Sequence, residues 1–127
     1  MSQPIVFISR FKVKDGKLEQ FREFSRKAQP ALEAEKPRTV GFLMYLNEGG
    51  TDLSIVHVFP DAESMAIHFE GADERSKAAY EFIEPAGWEI YGAPTQAALE
   101  TMKEAASKAG VSLKVQPEMM GGFLRST

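Results

Sequence analysis

Cysteine is absent from the chain, which excludes disulfide bridges, thiolate metal ligands and cysteine nucleophiles. Histidine is scarce: His57 and His68 are the only two. They fall on different predicted elements, so no histidine pair has metal-ligand spacing and no metal site is expected. No apolar run approaches the roughly 20 residues that a membrane span requires. The N-terminus lacks the basic-then-apolar layout of a signal peptide, so a cytoplasmic protein with no membrane partner is expected. Nor is there a basic excess. Fifteen Lys and Arg stand against 18 Asp and Glu, for a net charge of −3, and a phosphate-binding face wants the opposite balance. Lys17, Arg22, Arg26 and Lys27 interleave with Glu19, Glu23 and Glu33, the pattern of a solvated helix face. No nucleic-acid partner is expected. Gly49-Gly50 and Gly121-Gly122 read as turns rather than phosphate loops, and no serine has the strand-turn-helix setting of an exposed nucleophile.

What is present is a core. At 127 residues with 43% apolar side chains, the chain suits one domain, 1–127, with no need of covalent staples. Residues 5–14 form the first strand, stopped by Asp15-Gly16, with Asp15 placed to cap the next helix. That helix sets Leu18, Phe21, Ser25, Ala28 and Leu32 on one stripe. Pro30 should kink it, and Pro37 ends it. Strands 39–47 and 53–59 flank a glycine turn that reads as a hairpin. Asp61 opens a second helix whose inner face carries Met65, His68, Phe69 and Ala72. The polar stretch 71–76 breaks it before a further helical piece with Ala78, Ala79, Phe82 and Ile83, which Pro85 and Gly87 end. Residues 88–92 make a fourth strand. This β-α-β-β-α-β order predicts an α+β fold, a ferredoxin-like antiparallel sheet with its helices on one face, over a core of 5–92.

An extension, 94–127, adds a helix with Leu99, Met102, Ala106 and Ala109 in register, capped by Gly110. A one-sided strand then carries Val111, Leu113 and Val115, and Pro117 stops it. Residues 119–124 are too apolar for a free tail and should dock on the same subunit or on a partner. The strands carry the other architectural signal. Ile55 and Phe59 take one side of strand three while Val56 and Val58 take the other, and 5–13 and 40–46 behave alike. A half-solvated sheet alternates apolar with polar, and the chain has helix enough for one face only. The second face is expected to meet another copy, giving a homodimer through sheet faces.

The stretch Arg10-Phe11-Lys12-Val13-Lys14-Asp15-Gly16-Lys17 ahead of an amphipathic helix resembles the opening of antibiotic-biosynthesis-monooxygenase-like proteins. The hairpin at Gly49-Gly50 and the run from Val58 through Pro60-Asp61 to His68-Phe69 are similar to the middle of that family. The resemblance spans about 5–92 and implies a dimeric α/β barrel. It also implies a cofactor-free monooxygenase of phenols or quinols, in which the deprotonated substrate passes an electron to oxygen. Heme-degrading members have asparagine at the place of Ser9, tryptophan at that of His68 and a ligating histidine where this chain has Ala78, so heme degradation is not expected. A small apolar or aromatic ligand is what the resemblance implies, and several residues could serve it. His68 is the candidate catalytic base or hydrogen-bond partner, on the inner face of helix two with an ordinary pKa near 6.5. Phe7 and Ser9 share a side with Phe11, which the resemblance makes the pocket floor. Tyr45 and Trp88 are candidate lining residues, as aromatic groups with polar tips; Tyr80 and Tyr91 offer the same. The alternative is a non-catalytic dimeric barrel that binds a small hydrophobic ligand or serves a stress-response or regulatory role.

Overall fold

The computed structural model describes residues 3–125. The elements are β1 (Ile5–Val13), α1 (Leu18–Glu35), β2 (Gly41–Leu46), β3 (Asp52–Phe59), α2 (Ala62–Phe69), α3 (Ala72–Ala79), β4 (Ile83–Tyr91), α4 (Gln96–Ala109) and β5 (Leu113–Gln116). One sheet orders them β2-β3-β1-β4-β5. The first four strands pair antiparallel, and β5 joins β4 in parallel. This is the α+β, ferredoxin-like arrangement with a helix-strand addition at one edge.

Period-two alternation decides which side of the sheet the helices cover. Ile5, Phe7, Ser9 and Phe11 of β1 are buried, as are Leu53, Ile55, His57 and Phe59 of β3. Two apolar clusters result. One joins Phe7, Phe59, Met65, Trp88 and Ile90 to Met102 and Ala106 of α4. The other gathers Phe11, Leu53, Ile55 and Ile83 around Phe21 of α1. On the opposite face Val6, Ile8, Val56 and Val58 are half-buried, and Leu43 and Tyr45 are exposed. Among the described residues no helix lies over that face.

Several local expectations change. Asp15 does not cap α1: the N-cap is Lys17, no side chain caps there, and Gly16 takes a positive φ in the preceding turn. As expected, the helix holds Pro30 within it and ends at Glu35, just before Pro37. The break after α2 is confined to Glu70 and Gly71, the latter left-handed, and α3 starts at Ala72. The largest correction is β4, which starts at Ile83 rather than Trp88. Pro85 and Gly87 lie inside this strand because it is bulged: Arg10 faces Gly87 and Phe11 faces Pro85, which leaves Ala86 over. A bulge tolerates a proline that cannot donate to the ladder, and Gly87 adopts φ +152, a value that side chains resist. In the tail Met119 is half-buried, while Met120, Phe123 and Leu124 stand exposed, so of the two docking surfaces expected for 119–124 these three side chains do not use their own subunit.

Candidate functional site: a buried histidine pair behind the α1–β2 cleft

His57 from β3 and His68 from α2 meet where the two apolar clusters adjoin. Their ring centroids lie 5.2 Å apart, edge to face. Phe59 approaches His68 at 5.2 Å, Phe42 stands 5.1 Å from His57, and Phe7 stands 4.9 Å from it. Both histidines are buried. Each satisfies one ring nitrogen inside the protein. The Phe7 carbonyl accepts from Nδ1 of His57 at 2.9 Å, which leaves Nε2 of His57 as the acceptor nitrogen of a neutral ring. Nδ1 of His68 lies 2.7 Å from the Thr39 hydroxyl.

The backbone holding His68 is fixed at both ends of α2. At its start the Asp61 carboxylate accepts from the Ser64 amide and from the Ser64 hydroxyl, both at 2.7 Å, as an N-cap should. Arg38 braces the same corner by donating to the Ser64 oxygen at 3.1 Å. At its end, carbonyls of the last turn and just beyond it are held by cations. Arg75 donates to the carbonyls of His68 at 2.6 Å and Glu70 at 2.9 Å, and Lys36 donates to that of Ile67 at 2.9 Å.

These neighbours set the electrostatics. Burial, against a smaller opposing effect of the Phe7 carbonyl, lowers the His57 pKa to about 4. For His68, burial comes first, then the charges of His57, Arg75 and Lys36, and the pKa falls to about 3. Both rings are neutral at pH 7. The pair is a set of neutral, hydrogen-bonding imidazoles held in a desolvated interior rather than a charged centre.

A cleft of about 290 Å³ opens beside this pair, between the second half of α1 and the start of β2, with Leu32, Glu33, Thr39, Val40 and Phe42 in its walls. It exists because burial along α1 ends early: Phe21 and Ser25 are buried, and nothing after them is. Thr39 and Phe42 thus face the cleft and also touch the histidines. A second hollow of about 210 Å³ lies at the β4 bulge among Arg10, Gly87, Trp88 and Lys114. Among the described residues no three His, Asp or Glu side chains cluster as a metal ion would need.

The residues singled out in the sequence are only partly gathered. Phe7 packs on His57. Ser9 and Trp88 are paired across β1 and β4 and buried on the helix side, with Trp88 in the cluster that holds Met102. Tyr45 stands apart. Its partner in the ladder is Ser54, which in turn pairs with Arg10, so Tyr45 belongs to the uncovered face and is 58% exposed. Thr39, Phe42, Lys36 and Arg75 were not foreseen. Phe42 could have been, since it alternates in step with Met44 and Leu46 toward the helices.

No protein-family model and no curated protein sequence matches the chain. Solved structures do. MupZ from Pseudomonas fluorescens superposes with a TM-score of 0.69 at 15% identity, over 96% of this chain and 91% of MupZ. SnoaB from Streptomyces nogalater, a cofactor-independent oxygenase, gives 0.58 at 18% identity, over 75% and 97% of the two chains. A candidate antibiotic biosynthesis monooxygenase from Bacteroides thetaiotaomicron gives 0.54 at 11% identity, over 64% and 80%. The chain has the antibiotic-biosynthesis-monooxygenase-like fold. Identities this low carry fold and nothing finer. The MupZ match leaves about five of the 127 residues uncovered, so it runs through α4, whereas the SnoaB match omits a quarter of this chain of the same fold.

Proposed function

We propose that the protein binds a small aromatic molecule in the α1–β2 cleft and oxygenates it as a cofactor-free monooxygenase of phenols or quinols, working as a homodimer joined through the open sheet faces. The observation that carries this reading is the 2.7 Å contact between Thr39 and His68. It links a cleft-facing hydroxyl to an imidazole in an aromatic, water-poor interior. The Phe42 ring gives a planar ligand a surface to lie on. A phenol seated there would donate to the Thr39 oxygen, and the Thr39 proton would pass to His68.

Magnitudes define the role of His68. A phenol resembles tyrosine, with a pKa of about 10, while His68 sits at about 3. Full proton transfer before oxidation would run uphill by about seven pK units, roughly 10 kcal/mol. The imidazole therefore serves as a hydrogen-bond partner that takes the proton as the substrate gives up its electron to oxygen, when the phenolic proton becomes far more acidic. The substrate supplies the electrons; one oxygen atom enters it and the other leaves as water. The low basicity of both histidines is also what favours the second reading, a binder without turnover.

Oxygen uptake with model hydroquinones in metal-free buffer tests the proposal, alongside binding measured without oxygen. Turnover that drops about 100-fold in Thr39→Val and in His68→Ala, the scale for loss of a proton-transfer partner, supports oxygenation. Binding without turnover selects the second reading. Neither binding nor turnover overturns both.

A further inference from the structure

Six large hydrophobic side chains stand exposed among the described residues, and they form two sets. Val40, Leu43 and Tyr45 belong to β2 or the residue before it. Met120, Phe123 and Leu124 belong to the segment after β5. These strands are the two edges of the sheet, so within one chain the sets sit at opposite sides of the molecule. Leu43 and Tyr45 lie on the open sheet face, whereas Val40 has the parity of Phe42 and lines the cleft, so Val40 at one edge and the three tail side chains at the other are the groups that a face-to-face dimer alone leaves uncovered.

The register relates them. One row across the sheet runs Gln116, Tyr91, Val6, Val58, Gly41. The tail therefore leaves the sheet at the end where Val40 and Gly41 enter it. The proposed dimer packs two open faces about a two-fold axis. If that axis runs along the strands, between β1 and β3 where Val6, Ile8, Val56 and Val58 lie, height along the strands is preserved and left and right exchange. Then β4 of the second copy faces β2, and its β5 overhangs the β2 edge. Its tail starts level with Gly41, beside the mouth of the α1–β2 cleft. An axis across the strands would instead reverse height, keep left and right, and leave the tail at the β5 edge, away from the α1–β2 cleft.

We propose that residues 117–125 of each protomer cross to the other and close its α1–β2 cleft, so that each site is completed by the second copy. This rests on the face-to-face dimer. The reach suffices: nine extended residues span up to about 30 Å, against a sheet-to-sheet spacing of about 10 Å and a further layer of similar depth to the helices. The chemistry matches as well. Leu32, Val40 and Phe42 offer an apolar floor for Met120, Phe123 and Leu124, and Glu33 on the rim is opposite in charge to Arg125. The Gly121-Gly122 pair, with Gly122 at φ +115, lets the segment turn sharply where it meets the cleft.

The absence of native cysteine makes a clean test possible. Chains carrying Val40→Cys and chains carrying Phe123→Cys are co-expressed, oxidised gently and resolved by non-reducing electrophoresis, with sedimentation run in parallel. The expected result is a sedimenting dimer and a disulfide-linked pair of the two chains that reductant dissolves. Phe123→Cys co-expressed with Glu48→Cys, at the other end of β2, should give none. A dimer without the first cross-link, or with the second instead, overturns the tail assignment and leaves the dimer standing. A monomer overturns both. The double variant Val40→Cys/Phe123→Cys closing within one chain would mean that the tail folds back on its own cleft, which also overturns the exchange. As a measurement free of new cysteines, ending the chain after Gln116 should raise the fluorescence of an added anilinonaphthalene sulfonate several-fold as the cleft opens. An unchanged signal counts against closure.

Discussion

His57 and His68 together make the fold sensitive to acid. Their folded pKa values of about 4 and about 3 lie below the 6.5 of an unfolded histidine. The unfolded chain therefore binds more protons than the folded one at any pH between these limits. Above pH 6.5 neither state is protonated and nothing is lost. Below it, each buried ring withdraws about 1.4 kcal/mol of stability per pH unit until it charges in the folded state too. At pH 5 the pair should cost roughly 4 kcal/mol, a large part of the 5–15 kcal/mol that holds a domain together. Urea midpoints measured at pH 7 and pH 5 check this, and His57→Phe should remove about half of the slope. A midpoint that does not move would show that these rings are not neutral and buried together. Arg75 belongs to the same account. It satisfies the carbonyls of His68 and Glu70 and helps keep the His68 pKa low. Arg75→Ala should cost about 1 kcal/mol in unfolding free energy, the net scale of a hydrogen bond whose acceptor water can still reach. It should also move the His68 titration upward in an NMR pH series, whereas Arg75→Lys, which keeps the charge, should move it less.

At the scale of elements, two aspartates look alike in the sequence and differ in the structure. Asp15 and Asp61 each precede a helix, yet only Asp61 caps one, accepting from Ser64, while α1 starts from Lys17 without a side-chain cap. Asp61→Ala should therefore lower stability by about 1–2 kcal/mol and Asp15→Ala by a few tenths, read from thermal or urea unfolding of the two variants. Equal effects would contradict the capping assignment. The same contrast shows what the sequence could convey. Strand alternation, the Asp61 start of α2, the Gly110 end of α4 and the one-sided burial of Met102 and Ala106 follow from local rules, and they were legible. The start of β4 was not. Pro85 and Gly87 read as a stop, and only the opposing β1 register, with Ala86 squeezed out between Gly87 and Pro85, makes them interior strand residues. The site divided in the same way. The spacing puts His68 on the inner face of α2, but its low pKa comes from the depth of its burial, then from His57 on another element, and then from Arg75 and Lys36, which reach the end of α2 from outside it. Tyr45 was assigned by chemistry, whereas its pairing parity puts it on the other face.

Over the whole molecule, the sheet is apolar on both sides and the helices cover one. An exposed patch built from Val6, Ile8, Leu43, Val56 and Val58 is the kind that soluble proteins reserve for contact. Around it stand paired charges, Arg10 with Glu89 and Lys12 with Asp52, and an apolar centre with a polar rim is the usual anatomy of an interface. None of the five side chains is needed by the helix-side core, so a charge can be placed among them without unfolding the protomer. Two-fold symmetry doubles the insult, because each substitution occurs twice in one interface. Val56→Asp should then convert a dimer of the native chain into a monomer at micromolar concentration in analytical ultracentrifugation, with the far-ultraviolet dichroism of the native fold. Arg10→Ala, which removes a rim charge, should weaken association by about 1 kcal/mol or less. If the Val56→Asp protein still sediments as a dimer, the second copy binds elsewhere, and the apolar face needs a different occupant. If it unfolds, Val58→Thr provides the milder probe. That change keeps the shape of the side chain and the β-propensity while adding a hydroxyl to the buried face, and it should shift the dimer equilibrium by about tenfold, one to two kcal/mol. An unshifted equilibrium would place Val58 outside any interface.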